Sequence, residues 1–218
     1  MSSRIRRTAA MIPGPAGDIE VVLEMPDDPI GVAVVCHPHP LYDGTMNNKV
    51  VHTLARAWIA LGCMAVRFNF RGVGRSAGSY HEGEGERLDA LAVVDWARAQ
   101  QPEGPLLLSG FSFGAMIAYR VAQQIQADGL VTVAPAVDRI QATGTQPQCP
   151  WLVVHGDKDE LVPIEHVLTW LEGLTPKPRL AVLASAEHFF HGRLIELRGL
   201  VSDFAAPLVT AAEGNNIA

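Results

Sequence analysis

The sequence lacks the features that would assign it to several large protein classes. Its 218 residues include only three cysteines, Cys36, Cys63 and Cys149, which are odd in number and widely spaced. Such cysteines form neither a disulfide framework nor a metal site, and they are typical of free thiols in a reducing compartment. The basic start has no apolar signal core after it, and no apolar run is long enough to cross a bilayer. We therefore expect a cytoplasmic protein that has no membrane partner.

Positive charge is also scarce. The chain carries 17 Lys and Arg residues against 23 Asp and Glu residues, a formal net charge of −6. This balance argues against nucleic acid or an anionic membrane surface as a partner. Repeats and low-complexity tracts are missing, whereas 48% of the residues are hydrophobic, enough for a sizeable core. We expect one domain over residues 1–218.

From residue 32 onward, short apolar runs alternate with segments of helical periodicity. Before them, two stretches of alternating polarity, 4–12 and 18–25, are joined by a Pro-Gly turn and predict an antiparallel hairpin. The pattern predicts a three-layer α/β/α sandwich with a mostly parallel sheet. The predicted strands are 32–36, 63–70, 106–108, 129–133, 151–154 and 179–183, and the predicted helices include 46–61, 84–99, 163–171 and 192–208.

The segment Leu106 to Gln123 has the most specific local pattern. A short apolar strand runs into Gly110-Phe111-Ser112-Phe113-Gly114, and a helical segment without proline follows. Strand, G-x-S-x-G and helix in this order predict a nucleophile elbow, in which a strained serine is exposed at a tight turn. A serine hydroxyl needs a base to become nucleophilic, so a histidine, an acid and oxyanion donors are expected elsewhere.

Several chemically interesting loops follow predicted strands. They are HPHP after residue 36, RGVGRS after 70, GFSFG, HGDKD after 154 and EHFF after 186. In a parallel α/β sheet the ligand lies beyond the carboxyl ends of the strands. The loops are therefore expected to meet at one end of the molecule.

With its elbow and the order serine, acid, histidine, the chain resembles the α/β-hydrolase fold family over roughly residues 18–208. It looks closest to the small lidless serine esterases near the dienelactone-hydrolase group, although Ser112 stands where dienelactone hydrolases proper carry cysteine. The segment between the strands 129–133 and 151–154 is too short for the helical cap of larger members.

The resemblance implies a catalytic triad. The family histidine corresponds to His188 in EHFF, with His191 as the nearest rival. The family pattern HG, two residues, D, two residues, VP matches residues 155–163 and gives the acid as Asp159, while Asp157 is interpreted as a turn residue bonding its own backbone. The carboxylate would orient the histidine and stabilise its imidazolium form.

The oxyanion hole requires two backbone N–H donors. One is expected from Phe113, the residue after the nucleophile. The second is expected from His39, with Leu41 as runner-up, because the prolines on either side of His39 have no N–H. A metal site on His37 and His39 is disfavoured because no third ligand accompanies them. Three aromatic residues are expected to line the substrate pocket: Tyr42, Phe111 and Phe189.

These expectations describe a serine hydrolase for a small-molecule ester or thioester of short to medium acyl length, which needs no cofactor and no metal. The alternatives are a peptidase or amidase with the same triad, and a catalytically silent binding protein on the same fold. The sequence leaves open the natural substrate, the preference among ester, thioester and amide, and the oligomeric state.

Overall fold

Eight strands in one sheet and five α-helices make up the computed structural model, which describes residues 4–139 and 145–214. The strands are β1 (Arg6–Ile12), β2 (Ile19–Met25), β3 (Val32–Cys36), β4 (Met64–Phe68), β5 (Leu106–Phe111), β6 (Gly129–Val133), β7 (Trp151–Gly156) and β8 (Arg179–Leu183). The helices are α1 (Lys49–Ala60), α2 (Glu84–Gln100), α3 (Phe113–Ala122), α4 (Ile164–Glu172) and α5 (Leu194–Gly214).

The sheet is antiparallel at one edge and parallel elsewhere. Its strand order is β1-β2-β4-β3-β5-β6-β7-β8. The β1–β2 hairpin and the β2–β4 pair are antiparallel, and every later neighbouring pair is parallel. The predicted hairpin and mostly parallel sheet are confirmed. Strands β3, β5, β6, β7 and β8 therefore end at the same edge of the sheet.

Helices cover both faces of the sheet, as alternation along β3 shows. Val32 and Val34 pack into the core that α2, α3 and α4 share, whereas Ala33 and Val35 pack into the core under α1 and α5. Successive side chains of a strand point to opposite faces, so an unbroken apolar strand such as β3 must be buried on both. This confirms the three-layer arrangement.

Helix α1 begins three residues later than the helical periodicity predicts. Asn48 is its N-cap, and its Oδ1 accepts a hydrogen bond of 2.8 Å from the N–H of Val50. The N–H of Met46 donates instead to Asn69 Oδ1 at 2.9 Å, after β4. An N-cap side chain satisfies backbone donors that have no partner in the first turn, so the helix starts after Asn48.

Helix α5 continues beyond the predicted end near residue 208, through Pro207. Proline removes one backbone donor and opposes an internal helical turn. The apolar face of the helix offsets this cost, because its side chains are buried against the sheet on both sides of the proline. They are Leu197, Val201, Ala205 and Val209.

The described part of the connection from β6 to β7 does not cover the carboxyl edge of the sheet. Its described residues, 134–139 and 145–150, contain only a 3-10 helix at Val137–Arg139. They include no helical cap. This agrees with the short spacing in the sequence.

A buried arginine ties the antiparallel edge to the start of α1. Arg67 on β4 is fully buried, and its Nε and Nη2 each donate to Glu24 Oε2 at 3.1 Å. Its Nη1 donates to the carbonyl oxygen of Met46 at 2.7 Å. A buried charge is tolerated only when it is paired and hydrogen-bonded, so Glu24 is the partner that makes Arg67 acceptable.

Replacing Glu24 with alanine should lower the free energy of unfolding by about 3 kcal/mol, because it leaves a buried guanidinium without its counter-charge. Denaturant titration measures the loss. The double variant E24A/R67M should recover most of it, since a buried pair replaced by apolar side chains is often neutral. A loss in the double variant as large as in E24A would contradict the assignment.

Candidate active site

The nucleophile elbow forms where β5 meets α3. Ser112 lies between the two elements with φ 55° and ψ −116°. This backbone conformation is strained for a residue with a Cβ and is found mainly at functional sites. The N–H of Ser112 still donates to the carbonyl oxygen of Val133 at 2.9 Å, which extends the β5–β6 pairing into the turn.

Two glycines make the elbow sterically possible. A Cβ on Gly110 would lie 2.2 Å from the carbonyl oxygen of Gly114. A Cβ on Gly114 would lie 2.4 Å from the carbonyl oxygen of Cys36 and 2.3 Å from that of His37. The start of α3 therefore packs directly against the end of β3, and only glycine permits this approach.

A chain of hydrogen bonds connects Ser112 with two loops on the other side of the site. His188, after β8, has its Nε2 3.1 Å from Ser112 Oγ. Its Nδ1 is 2.7 Å from Asp159 Oδ2, in the loop after β7. A neutral histidine that donates from Nδ1 to the carboxylate presents the free electron pair of Nε2 to the hydroxyl. The three residues thus have the geometry of a nucleophile, a base and an orienting acid.

Asp159 is held on both of its oxygens. Oδ1 accepts the N–H groups of Leu161 at 2.9 Å and Val162 at 2.8 Å, while Oδ2 binds His188. Burial acts to raise the pKa of Asp159, but the hydrogen bond and charge of His188 and the Val162 N–H outweigh it and lower this pKa below its ordinary value. The carboxylate is consequently ionised at neutral pH.

The two rival residues lie outside this hydrogen-bonded chain. Asp157 accepts a hydrogen bond from the N–H of Ser185, in the loop after β8, rather than from its own turn as we expected. His191 is mostly exposed and bonds to the carboxylate of Glu187. Neither side chain is hydrogen-bonded to Ser112 or His188.

The expected oxyanion donors are both at the cleft. Phe113 is the first residue of α3, where a backbone N–H has no partner within the helix. His39 follows β3, and its ring packs between Tyr42, Tyr80 and Phe113 at centroid distances of 4.7–4.9 Å. The N–H of Leu41 donates to His39 Nδ1 at 3.2 Å, so the runner-up donor is already engaged.

His37 is a structural residue of the same loop. Its Nδ1 is 2.6 Å from the carbonyl oxygen of Pro38, and its Nε2 accepts the N–H of Phe70 at 3.0 Å. Burial lowers the pKa of His37 to about 3, so the ring is neutral and donates from Nδ1. Both nitrogens are occupied by protein groups. Within residues 4–139 and 145–214, no cluster of three His, Cys, Asp or Glu side chains could hold a metal ion.

Ser112 opens into a cleft with a volume of about 700 Å³. Tyr42 and Phe189 line it, as the sequence predicts, and are 72% and 43% exposed. Phe111 does not line the cleft. It is fully buried at the end of β5, where its ring packs against His188 at a centroid distance of 5.0 Å. Phe111 therefore supports the histidine from the core side.

Sequence reasoning missed several residues of the cleft wall. Leu161 and Val162 lie two and three residues after Asp159, and Leu161 is 63% exposed. Asp43 and Asn48 form part of the opposite wall. The only available signal was proximity in sequence to motif residues, since periodicity does not reveal which loop side chains face a ligand.

Comparisons with known proteins agree with this fold. XC6422 from Xanthomonas campestris, described as an α/β serine hydrolase without a lid, is 42% identical, with a TM-score of 0.88 over 92% of this chain and 94% of that one. An α/β serine hydrolase homologue from Coxiella burnetii is 45% identical, with a TM-score of 0.86 over 90% and 96% of the two chains.

The chain belongs to the α/β serine hydrolases. An uncharacterised protein of Rickettsia prowazekii, RP471, is 34% identical over 205 residues, which span 88% of this chain and 85% of that protein. A family model of the thioesterase domain matches residues 75–148, which include the elbow. Of the described helices, none is long and apolar enough to cross a membrane.

Replacing Gly110 with alanine should destabilise the protein and remove most hydrolase activity, because the new Cβ would collide with the backbone of Gly114. Thermal unfolding and initial rates measure the two effects. The matched control is Gly199→Ala on α5, where no atom lies within 4 Å of the added Cβ. G199A should keep full activity and gain up to about 1 kcal/mol, the helix preference of alanine over glycine. An active, stable G110A would contradict the steric argument.

Proposed function

We propose that this protein hydrolyses carboxylic esters of short to medium acyl length through Ser112, His188 and Asp159. The observation that carries the proposal is the continuous hydrogen-bonded chain, 3.1 Å from Ser112 Oγ to His188 Nε2 and 2.7 Å from His188 Nδ1 to Asp159 Oδ2. It ends on a strained serine at the floor of an open cleft. Without a nucleophile in this position, the buried pair of His188 and Asp159 would have only a structural role.

In the proposed reaction, Ser112 Oγ attacks the ester carbonyl carbon while His188 Nε2 takes the hydroxyl proton. The tetrahedral intermediate collapses, the carbon–oxygen bond to the alcohol breaks, and His188 returns the proton to the leaving alcohol. Water then attacks the acyl-enzyme by the same route and releases the carboxylic acid. Asp159 stays ionised throughout and stabilises the imidazolium of His188.

The backbone N–H groups of Phe113 and His39 are the proposed oxyanion donors. The positive end of α3 adds to the field at this position. Preorganised donors of this kind stabilise the charge that develops in the transition state without reorganisation. The tight approach of Gly114 to the end of β3 supports the pairing, because it brings the two donor loops together.

Replacing Ser112 or His188 with alanine should each lower kcat by about 10⁴-fold or more, and the double variant should be little worse because the residues act as a unit. Labelling with a fluorophosphonate probe gives an independent readout, and it should disappear in S112A. Turnover of a simple ester by folded S112A at a rate near that of the wild type would refute the assignment of the nucleophile.

The acid is tested with a matched pair from one loop. Asp159→Asn should lower kcat strongly, because the Leu161 and Val162 N–H groups keep the amide oxygen and the NH2 group then donates to His188 Nδ1, which fixes the wrong tautomer. Asp157→Asn should stay near the wild-type kcat. The reverse ranking would show that Asp157 is the acid. Wild-type protein that neither labels nor turns over any ester would favour the silent binding protein.

The proposed acyl-length preference follows from the openness of the cleft. Its lining includes the exposed side chains Tyr42, Leu161 and Phe189, and the described β6–β7 residues provide no cap above them. A fully buried CH₂ group contributes about 0.8 kcal/mol, roughly fourfold in kcat/KM. A chain that extends beyond the cleft remains in water and gains little from each further carbon.

For one alcohol, kcat/KM should rise from the acetate to the medium-length esters and then level off. Leu161→Ala should reduce this rise while leaving the acetate nearly unchanged. Leu88→Ala, a partly exposed leucine on α2 away from the cleft, is the matched control and should change neither. A steady several-fold rise out to laurate, or a jump in rate when micelles form, would contradict the open-cleft argument.

Thioesters are the second candidate substrates, because the thioesterase-domain model matches the segment that contains the elbow. The same triad serves both reactions. Oxygen and sulfur esters with identical acyl and leaving-group skeletons separate the two functions. A kcat/KM for the thioester that exceeds that of the oxygen ester after correction for uncatalysed hydrolysis would favour the thioesterase assignment.

A further inference from the structure

The hydrogen-bonded chain from Ser112 to Asp159 does not end at the acid. His155, near the end of β7, is fully buried, and its Nε2 is 2.8 Å from the carbonyl oxygen of Val162. The N–H of that same residue donates to Asp159 Oδ1 at 2.8 Å. Both polar groups of the Val162 backbone are thus fixed, one by His155 and one by Asp159.

These hydrogen bonds hold the acid loop, residues 157–163 between β7 and α4, against β7. The loop leaves β7 after Gly156, carries Asp159, and returns to His155 at Val162, whose carbonyl oxygen accepts from His155. The same His155 Nε2 lies 3.6 Å from Asp159 Oδ2, the oxygen that binds His188. The Nε2–H group therefore presents its positive end to the acid loop from the core side.

The other nitrogen of His155 gains no hydrogen bond within the described residues. Burial lowers the pKa of His155, so the ring is neutral, and with Nε2 donating, Nδ1 is an acceptor. Nδ1 is buried and has no hydrogen-bond partner among the described residues. A buried unsatisfied acceptor costs folding free energy, so stability alone would favour an apolar side chain here.

We propose that His155 is a positioning residue for Asp159, which uses its Nε2–H to hold the Val162 backbone and thereby fix the carboxylate against His188. This inference rests on the proposed function, in which Asp159 is the acid. His155 touches neither substrate nor Ser112. Its effect reaches the reaction through the Val162 N–H and the orientation of Asp159.

Three substitutions of His155 separate the donor from the bulk of the ring. Leucine removes both nitrogens, glutamine keeps an N–H donor near the position of Nε2, and asparagine offers one only near Nδ1. We expect H155L and H155N to lower kcat about tenfold, the equivalent of one hydrogen bond, with KM little changed. H155Q should recover most of kcat. If H155L fails to fold, the comparison of H155Q with H155N carries the same test.

The decisive measurement is a double-mutant cycle with Asp159→Asn. If His155 acts through the acid, H155L should lower kcat little further in the D159N background.

Trp151→Phe is the control for loss of a buried polar contact in the same strand. It removes the hydrogen bond of 2.9 Å from Trp151 Nε1 to Thr132 Oγ1, at the opposite end of β7. W151F should lower the melting temperature and leave kcat unchanged.

Either of two results for H155L would overturn the inference: a wild-type kcat in the folded variant, or a tenfold loss of kcat that persists in the D159N background. Equal kcat values for H155Q and H155N would do the same, since only one keeps the donor in place. A failure of the proposed function looks different. In that case D159N itself would retain kcat, whatever the His155 variants do.

Discussion

The close packing of the elbow against the end of β3 is the constraint on which the rest of the site depends. Gly114 contacts the carbonyl oxygens of Cys36 and His37 at distances that exclude any Cβ. This approach brings the first turn of α3 beside the loop that carries His39. His37 fixes that loop in turn, by binding the N–H of Phe70 after β4. The ends of β3, β4 and β5 are thus held together by contacts that involve no proposed catalytic side chain.

The proposed acid and base lie on the other side of the elbow from β3, and they are more deeply buried than the residues that line the cleft. Asp159 and His188 are only 6% and 5% exposed, whereas the cleft residues Tyr42 and Leu161 are 72% and 63% exposed. Charge interactions between acid and base therefore act in a region with little water, where they are strong. In the proposed reaction, substrate enters the cleft beside Ser112 from solvent, since the described residues of the β6–β7 connection include no cap.

Much of this architecture could be predicted from the sequence, because its signals are local. The bounds of β3, β6 and β8 follow from apolar runs, and the elbow follows from two glycines with one serine between them. The cleft wall could not be predicted, since Leu161 and Asn48 gain their positions from tertiary packing. Phe111 illustrates the limit. An aromatic residue beside the nucleophile suggests substrate contact, yet the strand directs its ring into the core behind His188.

Backbone strain in the described residues concentrates at the same edge of the sheet. Six residues other than glycine have positive φ angles: Asp43, Glu82, Ser112, Ala134, Ser185 and Phe190. All lie in segments that follow the carboxyl ends of strands. Each such conformation costs about 1–3 kcal/mol and persists only where its surroundings determine it. Here the surroundings are two apolar cores and a continuous sheet, which hold these residues in their strained conformations. Ser112 has such a conformation itself, and His188 lies between Ser185 and Phe190, so the packed sheet maintains the strained segments that carry the proposed nucleophile and base.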